Sequence, residues 1–259
     1  MNTQSPLLNI LNKSIRISGK KMIRDFSEIE KLQSSVKNIE KFLEITKSNI
    51  LSDLKEVLIK LRPNLKIKST NNELEDCWII DPIDSTTNFS RGIDNFVISV
   101  SLKENKKINA CVLYNPIKDE NFYFQIGFGG FKNDYRIRVS EKKRLEDSIS
   151  SFFFKNSKIE ERKILGNIRQ ILHNNEGNIE IRESGSILHD ITLLSSGKID
   201  CLLFTQSSLQ INEQISFIIS ETGGIFFELY INEKKIYIAS NKYIGKIIKE
   251  MIENKYENH

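Results

Sequence analysis

The sequence is poor in the features that mark secreted, membrane-spanning or metal-clustered proteins. Only three cysteines occur in 259 residues, Cys77, Cys111 and Cys201, all in apolar surroundings and none at metal-ligand spacing. That pattern argues against a disulfide framework and a zinc site, and it predicts reduced core thiols. No apolar run approaches the ~18 residues that a bilayer span requires, so no membrane association is expected. Residues 1–10 lack a basic start followed by a long apolar core, so no signal peptide is read there and a cytoplasmic location is expected. His173 and His189 have no partner at ligand spacing and read as surface or helix-face histidines. A formal net charge of +4 is mildly basic, and the basic clusters Lys106–Lys107 and Lys142–Arg144 have no aromatics interleaved with them. Such a surface reads as solvated rather than as a nucleic-acid groove.

What remains is an ordinary folded composition, 39% apolar and 28% charged, long enough for one large or two modest domains. Apolar positions between 7 and 26 recur at helical spacing, and a second helix is predicted over 45–61, stopping before Pro63. The period then changes to short β-rich runs at 77–80, 96–103, 110–114 and 122–126, with a polar hairpin tip at 103–107. Gly127, Gly129 and Gly130 read as a tight turn closing this region. From about 140, strands (148–154, 179–182, 201–204, 225–229) alternate with helices (160–172, 186–195, 212–221, 242–255). This alternation predicts a largely parallel sheet. There are no internal repeats and no Pro/Ser-rich linker, so halves at 1–139 and 140–259 are expected to be fused as one compact unit.

One segment carries the chemistry: Trp78-Ile79-Ile80-Asp81-Pro82-Ile83-Asp84-Ser85-Thr86-Thr87-Asn88-Phe89. An apolar strand delivers two carboxylates, Asp81 and Asp84, to a surface. Mg²⁺ prefers oxygen ligands and is commonly held by one or two carboxylates together with phosphate oxygens. The Ser, Thr and Asn side chains that follow suit the start of a short helix, whose free N–H groups attract an anion. Cation and anion donors side by side describe a phosphate-ester site.

The segment resembles the signature of the inositol monophosphatase family, Asp-Pro-(Ile/Leu/Val)-Asp-Gly-Thr-Thr-Asn-Phe, with Ser85 in place of glycine. Further similarities run along the chain: Tyr114-Asn115-Pro116, Gly127-Phe128-Gly129-Gly130, Ser184-Gly185-Ser186 with Asp190, Ser196-Gly197-Lys198-Ile199-Asp200, and Glu221-Thr222-Gly223-Gly224. They are most similar to the bacterial extragenic-suppressor (SuhB) branch.

The resemblance implies an α/β (α+β) layered sandwich, with an N-terminal antiparallel sheet and a C-terminal mixed or parallel α/β half. It implies a Mg²⁺-dependent phosphomonoesterase acting on a small phosphorylated polyol or sugar, and commonly a homodimer. It also implies the roles of individual residues. Asp81, Asp84 and the Ile83 carbonyl would be metal ligands, and the amides of Ser85 and Thr86 would cradle phosphate. Thr86 and Asp84 would be catalytic, with Thr86 orienting the attacking water, and Gly185 and Ser186 would bind substrate. The suppressor branch is linked to transcription complexes and ribosomal RNA production, which implies RNA polymerase or an RNA-containing complex as an alternative partner.

Two of the family's ligand sources have no counterpart. Its Glu-Glu pair falls within Ser69-Thr70-Asn71, with Glu73 and Glu75 reaching the site only if the loop has slipped. Its Trp-Asp pair falls on Gln210-Ile211, with Asn212 and Glu213 just beyond, and its substrate-binding glutamate falls on Phe204. Each carboxylate touching the ion contributes several kcal/mol even at an effective dielectric near ~20, and each ~1.4 kcal/mol is tenfold in affinity. One weakly held Mg²⁺ and feeble or absent hydrolysis are therefore expected. Asp190 and Asp200 are expected to hold loops and helix ends rather than metal.

Overall fold

The computed structural model describes residues 5–32, 36–68, 76–154, 158–174, 179–205 and 208–257. Ser69, Thr70, Asn71, Glu73 and Glu75 lie outside the described residues. The chain divides into two units, Met1–Arg136 and Ile137–His259.

In the first unit, helices α1 (Pro6–Leu32) and α2 (Val36–Leu61) pack on one another and on a seven-stranded sheet. The strands are β1 (Lys66–Lys68), β2 (Cys77–Asp81), β3 (Ile98–Glu104), β4 (Lys107–Asn115), β5 (Glu120–Gln125), β6 (Gly129–Lys132) and β7 (Tyr135–Ile137), side by side in sequence order. Pairing is antiparallel from β2 to β6, and β1 lies parallel to its neighbour β2. Period-two alternation sends Trp78, Ile80, Val100, Leu102, Val112 and Tyr114 to the core face, where Leu11, Ile15, Met22, Leu54 and Leu58 of the helices meet them. Each such side chain contributes about 1.5–3 kcal/mol on burial. Asn105 and Lys106, with φ of 53° and 63°, form the expected hairpin tip between β3 and β4.

In the second unit the order is β8 (Ile149–Phe153), α4 (Ile159–Asn174), β9 (Glu180–Arg182), α5 (Ile187–Ser195), β10 (Cys201–Thr205), α6 (Leu209–Glu221), β11 (Ile225–Ile231), β12 (Lys234–Ser240) and α7 (Lys242–Glu257). The sheet runs β11-β12-β10-β8-β9 and is mixed: β8 is parallel to β9 and β10, whereas β12 is antiparallel to β10 and β11. The largely parallel sheet expected from alternation is corrected here. A tight hairpin at Asn232 and Glu233, with φ of 48° and 64°, adds β12 directly after β11 without a crossover helix. Ile164, Leu165, Ile168 and Leu172 of α4, and Ile244, Ile248 and Ile252 of α7, bury against Phe152, Leu203, Ile236 and Ile238.

The glycines at 129 and 130 are not merely a turn. They open β6 and pair with Gln125 and Phe124, while Gly127, at φ 75°, makes the turn before them. Cys77, Cys111 and Cys201 are buried and form no disulfide, and burial pushes the Cys111 and Cys201 thiols up to about 12. Among the described residues no helix is long and apolar enough to cross a membrane.

Candidate active site

Strand β2 ends on Asp81, and the chain then turns through Pro82 and Ile83 to Asp84 before the short helix α3 (Thr86–Ser90) begins. Each carboxylate is oriented by a backbone donor. The Ile83 N–H donates to Asp81 Oδ1 at 3.1 Å, and the Val97 N–H donates to Asp84 Oδ1 at 2.8 Å. The Asp84 N–H returns a bond to the Val97 carbonyl at 3.2 Å. The Ile83 side chain is buried in the helix–sheet core, which anchors the turn from below.

Ser85 is the N-cap of α3, with φ −127° in extended backbone, and its Oγ accepts from the Asn88 N–H. This conformation is open to any residue, so serine replaces the family's glycine without backbone strain. Its side chain is buried in the cap. Asn88 donates from Nδ2 to the Asn95 carbonyl at 2.7 Å, and Asn115 donates from Nδ2 to the Asp94 carbonyl at 2.8 Å. Phe89 locks the far side of α3, edge-on to Phe26 and Phe96 at 5.5 and 5.2 Å. The result is a rigid turn presenting Asp81, Ile83, Asp84, Ser85 and Thr86 together.

The second unit carries the remaining sequence candidates. Gly185 has φ 78°, the left-handed region that favours glycine. Ser186 caps α5, its Oγ accepting the His189 N–H at 3.1 Å, and Ser184 bonds its backbone. Asp190 is buried beneath this loop and accepts from Ser151 Oγ at 2.8 Å. Burial pushes its carboxyl up to about 6, opposed by hydrogen bonds from Ser184 and Ser151. Asp200 accepts from Ser140 Oγ and, at 2.8 Å, from the Ile149 N–H, so it ties a loop to the start of β8. His173 is exposed, whereas His189 is buried on α5.

Helix α6 begins three residues before the expected start, capped by Ser208, whose Oγ accepts the Ile211 N–H at 3.3 Å. Gln210, Ile211 and Asn212 therefore occupy its first turn, which contains no acid. Asn212 is buried. Phe204 stacks on Tyr237 at 5.3 Å as part of an aromatic cluster with Phe226.

Among the described residues, no three His, Cys, Asp or Glu side chains gather into a group able to hold a metal ion. Two carboxylates on a rigid turn are nonetheless a hard-oxygen donor set, and that chemistry fits one Mg²⁺ completed by water and phosphate oxygens. The sequence reading did not single out Val97 or Asn95, whose backbones fix the turn, because both act through pairing that local sequence does not encode.

The chain matches the profile of the Inositol monophosphatase family over residues 4–252. It is 29% identical to an Inositol-1-monophosphatase of Rhizobium meliloti, covering 96% of this chain and 97% of that protein. It is 26% identical to the Nus factor SuhB of Haemophilus influenzae, over 96% of this chain and 95% of the relative. The extragenic suppressor protein suhB of Bartonella henselae superimposes with a TM-score of 0.77 at 25% identity, covering 96% and 98% of the two chains. The inositol monophosphatase of Anabaena shares the fold with a TM-score of 0.73 at 22% identity, covering 96% of this chain and 95% of the other. With its signature turn, its two sheets and a profile match spanning nearly its full length, this chain belongs to the inositol monophosphatase family.

Proposed function

We propose that the protein is a phosphomonoesterase of the inositol monophosphatase type whose metal site is short of acidic ligands, so that hydrolysis is slow. The substrate class is a small phosphorylated polyol or sugar such as inositol 1-phosphate. The observation that carries this reading is the turn in which Asp81 and Asp84 are each held by a backbone N–H. Asp81, Asp84 and the Ile83 carbonyl are assigned as ligands to a single Mg²⁺. When bound, Mg²⁺ supplies charge neutralisation at the phosphoryl group and lowers the pKa of water. Thr86 orients the attacking water beside Asp84, the amides of Ser85 and Thr86 meet the phosphate oxygens, and Gly185 and Ser186 are assigned to the polyol.

The acid-free first turn of α6 supports the expectation of weak activity, since Gln210 and Ile211 stand where the family carries its Trp-Asp pair. Phosphate release from inositol 1-phosphate in millimolar Mg²⁺ tests the reading. Slow turnover abolished by Asp84→Asn is expected, and the enzyme reading fails if wild type and Asp84→Asn are equally inert.

The same decayed ligand set favours a second reading, in which the scaffold acts by binding, as a partner of RNA polymerase or an RNA-containing complex. Relatives named Nus factor SuhB support it. Affinity capture from native extract with and without nuclease discriminates between the two. Recovery of polymerase components favours binding, whereas recovery of the protein alone together with Mg²⁺-dependent hydrolysis favours the enzyme.

A further inference from the structure

We infer that Ser99 is a positioning residue for Asp81, its hydroxyl holding the carboxylate in its cation-binding orientation; this rests on the metal reading proposed above. Ser99 is fully buried on β3, and its Oγ has no hydrogen-bond partner. The β2–β3 register sets it directly across from Asp81. Residues opposed in this way have Cβ atoms about 4.5–5.5 Å apart on one face, within the span of a hydroxyl and a carboxylate. Its other register neighbour, Leu113 of β4, offers only an apolar side chain.

Among the described residues, four other strand positions with an orphaned buried side-chain atom make the contrast. Trp78 faces Ile67 and Leu102, Asn121 faces Tyr114, Gln125 faces Ala110 and Gly129, and Ser150 faces Cys201 and Ile181. Ser99 is the one set against a carboxylate. The segment entering β3 then serves both acids of the turn, since the Val97 N–H already donates to Asp84 two residues earlier.

A buried hydroxyl with no partner destabilises a fold, and alanine at that position would remove the penalty at little loss of packing. The hydroxyl therefore costs stability in the cation-free protein and gains its bond when Asp81 turns to a cation. Groups that hold a ligand in orientation typically change metal affinity about 10- to 100-fold when removed.

The test is Mn²⁺ titration of the full chain, followed by loss of the free-ion EPR signal, with thermal melts of the same samples. Ser99→Ala is expected to bind Mn²⁺ at least about tenfold more weakly while melting no lower than wild type. A merely structural role would not separate these readouts. Ser101→Ala is the control: Ser101 lies on the same face, across from Ile79 and Cys111, and its removal should leave affinity unchanged. Wild-type affinity in Ser99→Ala, or equal weakening in Ser101→Ala, overturns the assignment. A folded wild type that binds no Mn²⁺ overturns the metal reading itself, and the assignment with it.

Discussion

Asp84 and Val97 hold each other through two hydrogen bonds, Val97 N–H to Asp84 Oδ1 at 2.8 Å and Asp84 N–H to the Val97 carbonyl at 3.2 Å. This exchange fixes the signature turn to the entry of β3. It means that the carboxylate has a structural duty separable from its charge. In Asp84→Asn the amide oxygen can still accept from Val97, so the loss of stability should stay near 1 kcal/mol. Cation affinity should nonetheless fall by tenfold or more, because a charged ligand is gone. Urea denaturation beside Mn²⁺ titration checks this, and an Asn variant that unfolds readily would show that the charge itself holds the turn.

Gly19 of α1 lies against the Tyr114 ring, so that an added Cβ would come within 2.5 Å of Cε1. Tyr114 is buried and its hydroxyl donates to Asp119 at 2.9 Å, with Arg16 over the ring, which leaves little room to yield. In an open helix Gly→Ala gains about 1 kcal/mol. Here overpacking should dominate, and Gly19→Ala is expected to lose about 1–3 kcal/mol. A denaturation midpoint equal to or above wild type would mean that α1 shifts away from β4 at no cost.

The buried Asp190 carboxyl sits up at about 6 rather than at 3.8. Between those two values the folded state holds a proton that the unfolded chain has released. Its contribution therefore favours folding at low pH and is lost as pH rises through about 6. Asp190→Asn removes that dependence. Relative to wild type, the variant should gain on the order of 2–3 kcal/mol between pH 4 and pH 7. Parallel stability curves for the two proteins would show that burial does not burden this carboxylate.

Much of the fold was legible because its signals are local. The run ending in Asp81 announces a strand by its unbroken apolar residues, and Ser186 announces the start of α5 by its capping side chain. The misses have physical causes. Strand β1 is three residues long and held by pairing to β2, a non-local contact. Strand β12 opens with two lysines that mask its alternation, and β6 is built on glycines that read as a turn. The early start of α2 is carried by Ile39, Phe42 and Leu43 at helical spacing, a signal diluted by the lysines and glutamates around them, and α6 starts early because Ser208 caps it. At the site, the motif gave Asp81 and Asp84 directly. The role inferred for Ser99 depends on strand register, and that of Val97 on a contact with Asp84 across the loop before β3, neither of which local sequence specifies.

The acid-free start of α6 makes the central claim open to repair. Asp at 211 would sit at the third position from the Ser208 cap, where a carboxylate is favoured by the helix terminus. Calorimetric titration with Mn²⁺, run on wild type and on the double variant Thr70→Glu with Ile211→Asp, tests the claim most directly. One weak site in wild type is expected, with additional sites and faster inositol 1-phosphate hydrolysis in the double variant. Two or three micromolar sites in wild type, with turnover on the order of several per second, typical of a working enzyme, would contradict it.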